Sequence, residues 1–485
     1  MKKIIFFISL ITFWSNIISA ITIDIIAPNY KNQSIIWKKK TDYISNQYLI
    51  IDQRTIDSTG KVKLVGDLID NELTELSIGR SHGFIYVDTS TKNYSVYFPE
   101  DTLLESSSLQ KSQIQLLFLD LAQDDINNLI LSFNLHYDYF LYGDTNKLIR
   151  MARHDDEFQD SLNDFKIFVS KKYGPNKIKY LHNYIRYEIA LLEQMAHQSK
   201  GDIYRTYLFN TYLKKNEIRY NNDAYMQFFN LFYFKTFRIC GNEMYEKVLF
   251  TINQLQDFEK LNNILAKNQY FEPNKLRELA IIKGLYDGFS SNEFSSKVVI
   301  DMLTHITKTS LWKKHKLISQ KCIYELLKYE VGRKCPEFYL VNQNDEYLNV
   351  EDCQKNFTYI NFFATWNHKS LQEMEIINQM NTKYDFINFV SVNMDQEDVK
   401  YENYIKENKH FNWQICKPVN IEEIINTFDI DHLPTHLLID PYGLIAQYPA
   451  YPPTPLYNNQ SIDVTFFNIQ KNNSTKSIFG IGGKN

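Results

Sequence analysis

The spacing of apolar residues changes twice along this chain of 485 residues, and these changes constrain the fold more than any other feature. Before about residue 100, apolar residues recur at every second position, as in Tyr94, Val96 and Phe98, which is typical of strands with one buried face. Up to about residue 331 the spacing is then helical, and after residue 332 strand-like and helix-like stretches alternate. We therefore predict a multi-domain protein.

The three patterns give three predicted domains. Residues 21–105, with short strands separated by turns, favour a small antiparallel β-sandwich. Residues 106–331 carry apolar helical stripes and predict an all-α domain of about eight to ten helices. Residues 332–457 predict an α/β domain, and residues 458–485, rich in Asn, Lys, Ser and Gly, predict a partly disordered tail.

Residues 1–20 have the organisation of a secretory signal peptide. Lys2 and Lys3 form a short basic region, residues 4–18 are mostly apolar, and Ser19 and Ala20 supply small residues for cleavage. The apolar stretch is too short and too interrupted to predict a transmembrane helix. We therefore expect an exported protein with no membrane span after cleavage.

The charge of the chain bears on its partners. The formal net charge is −4 and charged residues make up 23% of the chain, so no basic field indicates a nucleic-acid partner. The oligomeric state is left open by the sequence.

Export changes the interpretation of the five cysteines, because disulfides persist outside the cytosol. Cys335 and Cys353 flank a predicted hairpin, and they would face each other if its turn centres on Asn344. Cross-strand cysteines at hairpin ends can approach bonding distance, so we predict a candidate disulfide here. Its role would be structural, and a redox role is the alternative.

Four motifs stand in a fixed order in the C-terminal domain. Cys335–Phe338 has the form x-Pro-x-Phe before a hairpin, and Tyr359–Trp366 is a strand that ends in aromatic-Ala-x-Trp. Phe389–Asp395 is a second strand that ends in Asp. Leu433-Pro434-Thr435 precedes a third strand that runs into the turn Asp440–Gly443.

In this order the motifs resemble the TlpA/ResA-like branch of the thioredoxin superfamily, which comprises exported thiol–disulfide oxidoreductases and their relatives. The large N-terminal region and Tyr448-Pro449-Ala450 also resemble a Bacteroidetes-type subgroup. In that subgroup a β-sandwich and a helical region precede the thioredoxin-like domain. The resemblance implies a bacterial periplasm or cell envelope as the location.

The sequence departs from this family at the positions of the catalytic cysteines. Family members carry Cys-x-x-Cys after the central strand, where the first cysteine attacks as thiolate and the second resolves the mixed disulfide. The corresponding positions here are Asn367 and Ser370, and neither can perform these steps. We therefore predict no catalytic residue at this place.

A binding site can remain without the cysteines. The resemblance implies a cis peptide bond at Pro434, beside the turn Trp366–Ser370, and a backbone edge that pairs with an extended peptide. This predicts a binding groove formed by Trp366, His368, Leu433, Pro434 and Thr435. The alternative is that the proline loop serves only the fold.

No cofactor or metal ion is predicted. His368, His432 and His436 are the histidines nearest this site, but a metal ion needs three or four converging ligands, so we interpret them as ordinary surface or loop residues.

The sequence leaves three functions open. We favour an exported thioredoxin-fold protein that lacks the redox dithiol, is not an enzyme, and binds a protein or peptide or serves in assembly. The first alternative is a thiol–disulfide oxidoreductase that acts through Cys335 and Cys353. The second is a structural domain that covers the helical region.

Overall fold

The computed structural model describes residues 20–102, 108–143, 156–196, 201–291 and 293–479. The predicted signal peptide therefore lies outside the described residues, apart from Ala20. Among the described helices, none combines the length and the apolar character needed to cross a membrane. Within the described residues the chain forms two compact units, of which the first comprises residues 20–78, 83–100 and 114–234, and the second residues 79–82, 101–113 and 235–479.

The N-terminal part forms two β-sheets. The first has the strand order β4-β1-β7-β9, and in the second the order begins β3-β2-β5-β6. The strands are β1 (Ile21–Ile26), β2 (Ser34–Lys40), β3 (Tyr48–Thr55), β4 (Lys61–Gly66), β5 (Glu72–Ile78), β6 (Ser81–Val87), β7 (Asn93–Tyr97), β8 (Ser112–Gln113) and β9 (Leu117–Phe118).

Alternating burial along the strands places one apolar core between these sheets. Ile23 and Leu64 of the first sheet share the core with Trp37 and Leu76 of the second, which confirms the predicted sandwich. The expectation of purely antiparallel pairing is wrong, because β1 and β7 run parallel. These strands are far apart in the chain, and a long connection permits the parallel arrangement that a hairpin cannot make.

The helical stretch begins after β9. Asn222 caps the fifth helix, since its Oδ1 accepts a hydrogen bond from the backbone N–H of Tyr225 at 3.0 Å. The first unit contains α1 (Ile126–Tyr142), α2 (Asp156–Tyr173), α3 (Lys179–Ala196), α4 (Gly201–Leu208) and α5 (Asp223–Phe232). The second contains α6 (Asn242–Phe250), α7 (Phe258–Leu265), α8 (Asn274–Gly288), α9 (Ser296–Thr309) and α10 (Lys313–Leu326). The predicted helical character is confirmed from Ile126 onward, whereas the short strands β8 and β9 lie within the range predicted to be all-α. The predicted domain boundaries stay a prediction.

The second unit also contains the C-terminal α/β region. Its mixed sheet has the strand order β11-β10-β14-β13-β12-β15-β16. The strands are β10 (Leu340–Asn342), β11 (Tyr347–Leu348), β12 (Phe357–Phe363), β13 (Ile387–Asn393), β14 (Gln414–Pro418), β15 (Thr435–Ile439) and β16 (Ile445–Gln447). The helices are α11 (His368–Lys383), α12 (Asp398–Glu407), α13 (Ile421–Thr427) and α14 (Ile462–Phe479).

Both faces of this sheet are covered. Central strand β12 pairs in parallel with β13 and antiparallel with β15, and nearly all its residues are buried. Helix α14 lies in the stretch predicted to be partly disordered, and its Ile462 and Phe466 are buried in the same apolar cluster as Tyr359.

A short segment from the early part of the chain contributes to the core of the second unit. Leu109 is buried in the apolar cluster that contains Ile360 and Leu437. Next to it, Lys111 Nζ donates a hydrogen bond to Asn426 Oδ1 at 2.9 Å. The spacing of apolar residues gave no indication of this contact, because it joins segments that are remote in the sequence.

We expect Leu109→Ala to destabilise the second unit, since truncating a buried leucine costs about 2–5 kcal/mol of unfolding free energy. Hydrogen–deuterium exchange of the β12 and β15 amides should become faster, while exchange in β1 stays unchanged. The matched control is Leu119→Ala, because Leu119 is exposed and its truncation should change stability by about 0.5 kcal/mol or less. Equal effects of the two variants would contradict a core role for Leu109.

Candidate functional site

The site predicted from the sequence lies where β12 ends and α11 begins. Asn367 occupies the N-cap position of α11, and its Oδ1 accepts a hydrogen bond from the backbone N–H of Ser370 at 2.9 Å. Asparagine is a favoured N-cap residue because its side-chain oxygen satisfies an N–H that has no partner within the helix. Asn367, which the resemblance predicts to stand at the first cysteine position, therefore starts the helix.

The same side chain makes a second contact. Asn367 Nδ2 donates a hydrogen bond to the backbone carbonyl of Leu433 at 3.0 Å. The Leu433–Pro434 peptide bond is cis, as predicted, and a second cis bond precedes Pro449. One carboxamide thus joins the helix start to the proline loop.

The residues predicted to bind a peptide differ in accessibility. Leu433, Pro434 and Thr435 are buried, and the Thr435 hydroxyl donates to the carbonyl of His432 at 2.8 Å. Trp366 is partly buried against the apolar core, and His368 is exposed. The structure therefore brings Asn367 and Leu433 into direct contact, and it leaves Trp366 and His368 as the accessible side chains of this set.

A buried polar cluster lies behind the first turn of α11. Glu373 is fully buried, and its Oε2 lies 3.0 Å from Nε2 of His436, which is only 3% exposed. The His436 ring stacks on Tyr359 with a centroid distance of 5.5 Å. In the described part of the chain, the hydroxyl of Ser370 and Oδ1 of Asn361 have no hydrogen-bond partner.

The interpretation of His436 as a surface or loop residue is wrong, because it lies on the buried strand β15, opposite Asn361 of β12. Glu373 was missed, although its spacing of three from Ser370 places both on one helix face. His368 and His432 are exposed, as expected. Among the described residues, no group of three or more His, Cys, Asp and Glu side chains is arranged to hold a metal ion.

The thiols of the domain are in its interior. Cys335, Cys353 and Cys416 are buried in one apolar cluster, and burial raises the pKa of each to about 12. At pH 7 a thiol with this pKa is ionised in about one molecule in 100,000, so it is a very weak nucleophile. None of the five cysteines forms a disulfide in this structure.

The hairpin between Cys335 and Cys353 has the predicted register, since Leu340 pairs with Leu348. Neither cysteine lies on a strand of this hairpin. Cys335 precedes β10, and Cys353 ends a short 3-10 helix that follows β11. The disulfide between them stays a prediction.

We expect Asn367→Ala to lower the unfolding free energy of the second unit by about 1–2 kcal/mol, because it removes both the cap and the contact with Leu433. Asn367→Asp keeps a capping acceptor and removes the donor to Leu433, so its loss should be smaller. The unfolding free energies of both variants can be measured by urea titration with tryptophan fluorescence as the signal.

The matched control is Asn420→Ala. Asn420 caps α13 by accepting from the N–H groups of Glu422 and Glu423, and in the described residues it makes no second side-chain bridge. If Asn367→Asp and wild type unfold at the same urea concentration, the hydrogen bond to Leu433 contributes nothing.

The C-terminal region is similar to proteins of known classification. Residues 356–445 match the thioredoxin-like family. The thiol-disulfide oxidoreductase ResA of Bacillus thuringiensis is 27% identical over 125 residues, which are 25% of this chain and 69% of that protein. ResA of Bacillus subtilis is 24% identical over 121 residues, or 24% of this chain and 65% of that protein.

Two solved structures are similar as well. A thiol-disulfide oxidoreductase from Bacteroides fragilis has 22% identity and a TM-score of 0.22, covering 24% of this chain and 88% of that one. The thioredoxin domain of a thiol-disulfide oxidoreductase from Bacteroides vulgatus has 15% identity and a TM-score of 0.23, covering 24% of this chain and 84% of that one. From the family match and the ResA sequences, we conclude that the C-terminal part of this chain is a thioredoxin-like domain related to the ResA thiol-disulfide oxidoreductases.

Proposed function

We propose that this protein is exported and that its thioredoxin-like domain binds an extended segment of a partner polypeptide without dithiol chemistry. The observation that carries the proposal is the pair of hydrogen bonds made by Asn367. From the resemblance of the motifs, we place its carboxamide at the position of the attacking thiol of the family, and both of its ends make structural contacts. A carboxamide can be neither oxidised nor reduced by thiol–disulfide exchange.

Partner binding at this place would use the backbone next to Pro434. A carbonyl oxygen has two lone pairs, so the Leu433 carbonyl that accepts from Asn367 retains one for a partner N–H. Main-chain pairing of this kind needs no cysteine. Trp366 and His368 would add side-chain contacts at the accessible rim. The proposal that the protein is exported rests on residues 1–20, which have the organisation of a secretory signal peptide.

The discriminating experiment is insulin reduction. We expect the wild-type protein not to accelerate the reduction of insulin by dithiothreitol, because no thiol is accessible at the helix start. The double variant Asn367→Cys/Ser370→Cys should accelerate it, since the N-terminus of α11 favours a thiolate and Ser370 offers a fully buried position for the resolving thiol. Catalysis by the wild type would refute the proposal.

The alternative is a thiol–disulfide oxidoreductase that acts through Cys335 and Cys353. Both cysteines belong to one apolar cluster, and the relatives carry the oxidoreductase name. Their burial and raised pKa argue against thiolate attack on an external disulfide.

Counting thiols with Ellman's reagent tests this alternative. In the native protein we expect Cys335, Cys353 and Cys416 to stay unreactive over a time in which the unfolded protein reacts completely. After unfolding, five reactive thiols would show that no disulfide has formed, and three would show the predicted one. If the native protein instead reacts rapidly with the reagent, and the Cys335→Ser variant does not, the result would support the redox function.

A further inference from the structure

The first compact unit contains a cavity of about 550 Å³. Its walls are mainly apolar and aromatic, and they come from α5 and the residues after it, from the strands β2, β3, β5 and β6, and from the loop between β2 and β3. Volumes of this size are typical of sites for small ligands or for two or three residues of a peptide. The apolar part of the wall comprises Tyr43, Tyr48, Leu73, Phe84, Leu231 and Phe234.

One wall is a single face of α5 and the residues that follow it. Asp223, Gln227, Asn230, Leu231 and Phe234 have helical spacing, which places them side by side. Of these, Leu231 is 43% and Phe234 62% exposed. Large apolar side chains that line a cavity and remain open to water indicate a binding surface.

A lysine at this cavity forms no direct ion pair with a described carboxylate. Lys40 Nζ donates to Asn46 Oδ1 at 3.0 Å and lies 5.2 Å from the centre of the Tyr43 ring, but no described carboxylate lies within ion-pair distance. Its neighbours Lys38 and Lys39, by contrast, pair with carboxylates at 3.0 and 2.6 Å. Burial lowers the pKa of Lys40, because the ammonium group is partly removed from water. The carboxylates of Glu75, Asp223 and Asp42 offset part of this effect, and an anionic ligand would offset the remainder.

An amide acceptor at the same cavity is also unsatisfied. Asn230 Nδ2 donates to the carbonyl of Tyr43 at 2.7 Å, whereas its Oδ1 is buried and accepts no hydrogen bond from the described residues. Leaving a buried acceptor unpaired costs about 1–3 kcal/mol. The cavity therefore offers one cation and one acceptor that needs an N–H donor.

Two carboxylates also line the cavity, and the protein already supplies both with partners. Glu75 forms an ion pair with Lys38. Asp223 accepts hydrogen bonds from the hydroxyls of Tyr86 at 3.0 Å and Tyr180 at 2.8 Å. Neither carboxylate therefore needs a cationic ligand as a partner.

We propose that this cavity binds the C-terminal end of a peptide whose last residue is apolar. The terminal carboxylate would pair with Lys40, the last amide N–H would donate to Asn230 Oδ1, and the apolar side chain would lie against Leu231 and Phe234. A peptide end carries the carboxylate and the N–H on one Cα, whereas a fatty acid has the carboxylate and no N–H. This site is independent of the function proposed for the thioredoxin-like domain.

Calorimetric titration of the full chain tests the proposal with three probes. They are an N-acetylated tripeptide ending in phenylalanine with a free carboxylate, the same tripeptide with a C-terminal amide, and dodecanoate. We expect the free acid to bind about tenfold more tightly than the amide, or about 1.4 kcal/mol, and more tightly than dodecanoate. Equal binding of acid and amide, absence of peptide binding, or tighter binding of dodecanoate would each overturn the proposal.

Two variants locate the contact. Lys40→Gln should abolish the preference for the free acid and leave the affinity for the amide peptide unchanged. The control Lys61→Gln changes an exposed lysine of β4 and should leave both affinities as in wild type. Retention of the acid preference in Lys40→Gln would exclude Lys40 as the carboxylate partner. Should Lys40→Gln fail to fold, the comparison of acid and amide on the wild type still decides.

Discussion

In the thioredoxin-like domain, one carboxamide bridges the start of α11 and the loop that contains Pro434. Asn367 satisfies an N–H at the start of α11 and, with the other end of its side chain, a carbonyl of the loop that contains Pro434. These segments come from distant parts of the domain, and each would otherwise leave a polar backbone group for water or a ligand to satisfy. The proposed function places this side chain at the position of an attacking thiol, which would have to stay free to react. Both ends of the Asn367 carboxamide are instead engaged in hydrogen bonds within the fold.

The interior of the domain contains its three cysteines and one buried pair of ionisable side chains. Three cysteines lie among aliphatic and aromatic side chains, where they act as small apolar residues. Beneath α11, the contact between Glu373 and His436 places two ionisable groups in a region without solvent. Such pairs contribute little net stability, whereas removing one partner leaves the other buried without compensation.

The sequence predicted features that are set by local pattern. Alternation along β1, the register of the hairpin at Leu340 and the N-terminal start of α11 all follow from residues that are close in the chain. Two contacts between remote segments were not predictable in this way. The burial of His436 depends on pairing with β12, and the position of Leu109 in the C-terminal core depends on packing between residues far apart. Periodicity describes one segment at a time and carries no information on which segments meet.

The position of Leu109 has a consequence for synthesis of the chain. At about 5–20 residues per second, the ribosome completes Leu109 tens of seconds before Leu437, with which it shares a core. During that interval an apolar side chain has no native partner, and the C-terminal core closes only after a long loop has formed. Contacts between residues this far apart in the sequence slow folding, because the chain loses the entropy of loop closure before the contact stabilises the folded state. The C-terminal region is therefore complete only when an early segment of the chain has returned to it.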